Sequence, residues 1–330
     1  MNTLSVGKIR GLQQLANSKG ILTMCAADHR ESLKKALNPQ HPEMVSYQDM
    51  VDFKLDLCRA AAPVASAILL DPLYGASQAI VAGVLPGNVG LLVSMEKSGY
   101  GGEKTSRVNT LLPGWNVKKA KKLGAQAVKL LIYYRPDLKD AAQRQLKLVA
   151  RLAEQCIKED LPLLVESVSY PVEEVGTSAE KFARMKPGLV IETARQVTAF
   201  PIDVLKAEFP ADLNFEKDEG KLLALCQQLS EASRRPWVIL SAGVNFELFR
   251  KQVEIACKAG ASGFLAGRAL WQEAQKLSRA ERVKFLETTT VQRLKELAEI
   301  ANAYGTPWFV KMMAEGGKLP SITENWYQSY

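Results

Sequence analysis

The 330-residue chain has little that could staple it or hold a metal. Its 5 cysteines, Cys25, Cys58, Cys156, Cys226 and Cys257, are isolated, odd in number and never paired as CxxC. That pattern argues against a disulfide framework and a zinc site. They sit in apolar patterns, as small buried hydrophobes do. No uninterrupted apolar stretch is long enough to predict a transmembrane helix. The opening MNTLSVGKIRGLQQL lacks the apolar core of a signal peptide, and a reducing cytoplasm is the expectation. No GxGxxG follows the first apolar run, so a dinucleotide fold has no support. No low-complexity segment or linker divides the chain, and one domain over 1–330 is expected.

The composition is that of a globular protein, 47% hydrophobic and 24% charged. The formal net charge is +8. The basic residues are scattered, and the densest run, KKAKK at 118–122, lies in a helical pattern. Nucleic acid and membrane surfaces are therefore not the expected partners. Most of the excess belongs to solvated helix faces, and the rest suits a small anion drawn into one basic cleft.

Short apolar runs alternate with long amphipathic segments. Strands are predicted at 20–27, 66–71, 90–95, 126–133, 162–167, 203–208, 236–241 and 263–266. They are continuous apolar runs, as strands buried on both faces of a parallel sheet are. Helices are predicted between them, among them 47–62, 141–159, 215–233 and 247–259. In the first of these, Val51, Leu55 and Cys58 form the buried stripe, with Lys54 and Asp56 outside. Eight strands with intervening helices predict a (β/α)8 TIM barrel, with a doubly wound open sheet as runner-up. The helical, charged stretch from about 276 is expected to cover the barrel's outside, ending in a loosely held tail from 318.

Barrel chemistry sits at the C-terminal ends of the strands. In chain order these present Asp28-His29-Arg30, Asp71, Glu96-Lys97, Lys129, Glu166, Lys206 with Glu208, Ser241-Ala242-Gly243, and Gly267-Arg268. A lysine inside an apolar strand needs a partner or a task. Lys129 and Lys206 either form salt bridges inside the barrel or include a nucleophile. A desolvated lysine amine near a second cation can attack a ketone and form a Schiff base. The iminium then accepts electrons as the neighbouring C–C bond breaks, and Glu166 is placed for the proton transfers. The glycine-bearing turns SAGVN and AGRAL follow strands seven and eight, where barrels often bind phosphate through backbone N–H groups and a helix N-terminus. Arg268 would add a charged fork. Plain tight turns are the alternative reading. Trp115, Trp237 and Trp271 read as packing residues. Asp71 and Glu96 are expected to support Lys129 and Lys206, and Arg107 to form a salt bridge.

The segments LTMCAADHRESLKK, ASAILLDPLYGAS, SMEKSGY, TSRVN, GAQAVKLLIYY, LVESVSY, DVLKAEFP, VILSAGV and SGFLAGRALW resemble, in order, the class I tagatose-1,6-bisphosphate aldolases. The resemblance runs from about residue 20 to 275. It includes relatives that cleave 6-deoxy-6-sulfofructose-1-phosphate, and the same lysine acting on that sulfonated sugar is the alternative reading for this chain. It implies a metal-independent Schiff-base aldolase, without cofactor, that splits a ketohexose 1,6-bisphosphate into dihydroxyacetone phosphate and glyceraldehyde 3-phosphate. It assigns the Schiff base to Lys206 and the acid/base role to Glu166. Asp28, His29, Arg30 and Lys129 fall around the substrate carbons, and Ser241, Gly243, Gly267 and Arg268 at a phosphate. The family usually shows DQR where this chain has DHR, so His29 stands in a glutamine's place. The chain has only 2 histidines, and His41 lies in a predicted loop, which argues against a zinc-dependent aldolase. A non-catalytic sugar-phosphate sensor is a further reading. Pairing through outer helices into a dimer or tetramer is expected.

Overall fold

A computed structural model describes residues 4–172, 178–316, 319–328 and 330. Eight parallel strands close on themselves: β1 (Leu22–Ala26), β2 (Ala67–Leu70), β3 (Gly90–Ser94), β4 (Ala127–Tyr133), β5 (Leu163–Val168), β6 (Val204–Ala207), β7 (Trp237–Leu240) and β8 (Gly263–Ala266). β1 pairs with β8 as well as with β2, which closes the barrel and excludes the open sheet.

Every predicted strand is present; most are trimmed at one or both ends, β8 has the predicted bounds, and β5 runs on to Val168. Gly20 has a φ of 78° and turns the chain before β1. Pro162 and Pro236 have no N–H for the ladder, but their carbonyls accept from Val128 and Leu205. The predicted helices appear as Tyr47–Ala61, Lys139–Lys158, Glu219–Ala232 and Phe246–Lys258. The third starts later than predicted because Asp218 caps it, its side chain accepting from Lys221 N–H.

Alternation along each strand divides the core in two. Cys25, Ile68, Leu91, Val128, Leu130 and Val165 face the helices. Met24, Leu69, Leu92, Ala127, Leu164, Val204, Val238 and Leu265 fill the barrel interior. Below them, Leu12 and Leu15 of the helix Val6–Leu15 join Trp308 and Met312 of the helix Trp308–Ala314 as a plug. The ion pair Lys8–Asp203 (2.8 Å, buried) fixes that first helix to the sheet, and Asp203 also accepts from Leu163 N–H. All five cysteines are free and buried, and burial pushes every thiol pKa up.

Three expectations need correction. The segment beyond 276 does not only cover the outside: Val291–Tyr304 packs on Phe246–Lys258, but Trp308–Ala314 closes the barrel's bottom. The tail is fastened at its last residue, where the Tyr330 hydroxyl accepts from Gly7 N–H at 3.0 Å. Lys54 and Asp56 are buried, 0% and 5% exposed. The C-terminal helices cover the face of Tyr47–Ala61 that a lone amphipathic helix would show to water, so Asp56 meets Arg282 at 3.1 Å.

Gly263 opens β8 at a φ of 125°, and a Cβ there would lie 2.2 Å from the Leu22 carbonyl oxygen. Gly263→Ala therefore strains the backbone and breaks the seam that closes the barrel. A loss of at least about 2 kcal/mol in urea unfolding is expected.

Candidate active site

Three in-pointing side chains on adjacent strands form the centre. Glu166 and Lys206 are lateral neighbours in the β5–β6 register, and Lys129 lies on β4 beside them. Lys206 Nζ is 2.8 Å from Glu166 Oε1, and Lys129 Nζ is 2.8 Å from Glu166 Oε2. Lys129 also meets Asp28 Oδ2 at 2.8 Å and Glu96 Oε1 at 2.9 Å. Glu96 Oε2 accepts from Leu131 N–H, so its carboxylate is braced against β4.

The electrostatics of the two lysines differ. Burial works against the charge on Lys129, but Asp28, Glu166 and Glu96 outweigh it and raise its pKa well above the ordinary lysine value. Lys129 therefore keeps its proton. Burial likewise disfavours the carboxylates of Asp28 and Glu166, yet Lys129 above all holds both below the usual range, with Lys206 adding to it. Lys206 shares only Glu166 among the described ion pairs. Three carboxylates converge on an ammonium where a cation would sit, and no group of three or more His, Cys, Asp or Glu among the described residues is arranged to hold a metal.

Two adjoining cavities open at the C-terminal mouth, about 310 and 350 Å³. Glu166, Lys206, His29, Leu131 and Tyr133 line both. The first continues past Asp28 and Glu96 to Arg30, Lys35 and Lys97. The second continues to Glu208, Ser241, Gly243, Gly267 and Arg268. Each lobe thus ends in positive charge. Arg30 is buried and donates to the Glu96 carbonyl at 2.6 Å.

The glycines at the second lobe have steric work. At Gly243, φ is 76° and a Cβ would meet Arg268 Cζ at 3.0 Å, so only glycine lets the guanidinium lie there. A Cβ at Gly267 would meet His29 Cε1 at 2.9 Å. Gly267 N–H points to Ser241 Oγ, though at 3.4 Å. The helix N-terminus that borders this lobe is short: Gly267 and Arg268, its cap and first residue, line the cavity. Arg268–Trp271 is a single turn, and the N-terminus of Phe246–Lys258 is capped by Asn245, which accepts from Leu248 N–H.

His29 packs edge-on against Trp271, with ring centroids 5.0 Å apart. Burial, opposed by Asp28, pushes its pKa down to about 4. Trp237 and Trp271 are buried as expected. Glu96 does support Lys129, but Asp71 supports neither barrel lysine and pairs with Lys54 instead, at 2.6 Å. Arg107, expected in a salt bridge, lies over the rings of Tyr100, Tyr133 and Tyr170, 4.6–5.5 Å from their centroids. Sequence reading missed Lys35 in the site. It lies on a helix rather than at a strand end, and only its spacing from Arg30 and Glu31 could have signalled it.

Residues 22–273 match the model of the DeoC/LacD family aldolases. The chain is 33% identical to tagatose 1,6-diphosphate aldolase 1 of Enterococcus faecalis, over 94% of this chain and 100% of that protein. It is 31% identical to tagatose 1,6-diphosphate aldolase 2 of Streptococcus agalactiae, over 92% and 98%. Among solved structures, it superposes on an archaeal fructose 1,6-bisphosphate aldolase with a TM-score of 0.60 at 21% identity, over 90% of this chain and 99% of the other. Fructose-bisphosphate aldolase of Plasmodium falciparum gives 0.70 at 14%, over 92% and 98%. At such identities these two likenesses speak for the barrel fold alone. The family match and the sequence relatives carry the assignment: the chain belongs to the DeoC/LacD aldolase family and is a carbon–carbon lyase.

Proposed function

We propose that this aldolase works through a Schiff base on Lys206 and cleaves a ketohexose 1,6-bisphosphate, with tagatose 1,6-bisphosphate the favoured substrate. The observation that carries the reading is Glu166, whose two oxygens each hold one barrel lysine at 2.8 Å. Lys129 is pinned by three carboxylates and fixes Glu166 as an anion. Lys206, at the junction of the two lobes, is the amine left to react. The relatives in Enterococcus faecalis and Streptococcus agalactiae are tagatose 1,6-diphosphate aldolases, which supports the choice of tagatose bisphosphate.

In this mechanism the Lys206 amine adds to the C2 ketone, and loss of water gives the iminium. Glu166 takes the C4 hydroxyl proton, the C3–C4 bond breaks, and its electron pair passes into the iminium to give an enamine. Glyceraldehyde 3-phosphate leaves. Glu166 returns the proton to C3, and water releases dihydroxyacetone phosphate from Lys206. Ser241, Gly243, Gly267 and Arg268 hold the phosphate of the ketone half, as a charge-assisted fork does. Arg30, with Lys35 and Lys97, faces the acid group of the other half. Asp28 and neutral His29 meet the hydroxyls between. The chain is proposed to act as one barrel unit in the cytoplasm.

Borohydride trapping with dihydroxyacetone phosphate tests the nucleophile. A reduced adduct on Lys206, unchanged by a chelator and absent in Lys206→Ala, is the expected result by intact mass and peptide mapping. An adduct on Lys129, or none, overturns the assignment.

Glu166→Gln keeps the shape but loses the proton carrier. Steady-state cleavage should fall about 10²–10⁴-fold in kcat.

His29 gives a pH test. Its folded pKa of about 4 lies below the unfolded value near 6.5, so the unfolded chain binds the extra proton between these values. That contribution to stability is complete above the unfolded pKa and declines as pH falls through the window. Urea unfolding of His29→Gln from pH 7 to 4 should show a shallower decline than wild type, and equal slopes would refute a neutral, buried His29.

A further inference from the structure

The sharpest departure from the sequence reading lies outside the cavity. Lys54, expected on a solvated helix face, is completely buried, as is its partner Asp71. A buried ammonium is costly unless its donors are all used. Beyond Asp71, Lys54 Nζ donates to the backbone carbonyls of Ala27 and His29, the latter at 2.8 Å. These two carbonyls bracket the point where β1 ends and the candidate site begins. The backbone torsions between them are those of Asp28 and His29, so fixing both carbonyls fixes the direction of both side chains.

Each end of this strut is itself anchored. Asp71 Oδ1 accepts from Leu73 and Tyr74 N–H, both at 2.9 Å. The helix Tyr47–Ala61 that carries Lys54 starts in a capping box, with Ser46 and Asp49 satisfying each other's N–H groups. One residue back, Trp271 Nε1 donates to the Ala26 carbonyl at 3.1 Å while its ring braces His29. Side chains from two separate elements therefore hold the carbonyls of 26, 27 and 29.

We infer that Lys54 is a positioning residue: from behind the barrel wall it sets the path of residues 27–30 and so places Asp28, His29 and Arg30 around the substrate. The inference rests on the proposed aldolase reading and deepens it. It also predicts a split between the two halves of the reaction. At the exit of β1, Asp28 and Arg30 line only the lobe that receives the aldehyde half, while His29 borders both. The phosphate of the ketone half is assigned to residues after β7 and β8, which Lys54 does not touch.

The experiment compares wild type with Lys54→Met in two assays, cleavage of tagatose 1,6-bisphosphate and borohydride trapping of dihydroxyacetone phosphate on Lys206. For a positioning role, kcat/KM for cleavage falls about 10²-fold while trapping is unchanged. Unchanged cleavage in the folded variant overturns the inference and leaves Lys54 as packing. Equal loss in both assays also overturns it, because the whole site has then collapsed. Asp71→Asn keeps the volume and the acceptor for Leu73 and Tyr74, and serves if Lys54→Met does not fold. The same split, smaller, supports the inference, and wild-type kinetics overturn it. A wild-type protein that traps nothing on Lys206 fails in the control arm and overturns the aldolase mechanism itself.

Discussion

A charged amine inside a sealed barrel has to be matched, and the match at Lys129 organises everything around it. Three carboxylates from the ends of β1 and β3 and from β5 reach its ammonium within 2.9 Å. Satisfying one buried cation therefore ties together elements far apart in sequence. It also settles which oxygen of Glu166 faces inward and which faces Lys206. The pair is not a stabilising device to be valued by itself, since desolvation offsets much of the attraction. Its consequence is order: Asp28 and Glu166 stay ionised, and all three carboxylates point one way before any substrate arrives.

The barrel was legible because its strands are buried on both faces. Runs such as QAVKLLIYY and PLLVES admit no amphipathic reading, and their spacing leaves room for helices and little else. Ends were less legible, because they depend on single backbone groups. Proline at 162 and 236 keeps its carbonyl in the ladder but has no N–H to give, so a residue can pair without counting as strand. Closure itself is a long-range fact. Leu22 meets Gly263 across most of the chain, and no local pattern states that.

The polar residues at strand ends were legible for a related reason. Lysine and glutamate in an apolar run stand out, and period-two alternation sends Lys129, Glu166 and Lys206 to the same interior. What failed were several inferences that needed a neighbour from elsewhere in the fold, although Glu96 meets Lys129 as expected. Lys54 looked solvated because the helix was read alone, without the Asp71 carboxylate and the Ala27 and His29 carbonyls that its ammonium reaches on the barrel side. Arg107 looked like an ion-pair partner because sequence cannot show three tyrosine rings converging on one guanidinium. The glycine turns suggested a helix N-terminus at the cavity, and the length of that helix, a single turn after β8, was not legible.

The plug of Leu12, Leu15, Trp308 and Met312 closes one end of the barrel, and the cavities beside the reactive centre open at the other among the described residues. In the proposed mechanism, a bound sugar bisphosphate stands in that mouth. While the C3–C4 bond breaks, the ligand screens the centre from bulk water at the top and the hydrocarbon does so at the bottom; water reaches the Schiff base by the mouth once the aldehyde has left. The proton that Glu166 takes from the C4 hydroxyl is thereby kept beside the carbon that receives it next. Proton economy of this kind comes from the stopper at the far end of the barrel, some distance from any residue that touches the sugar.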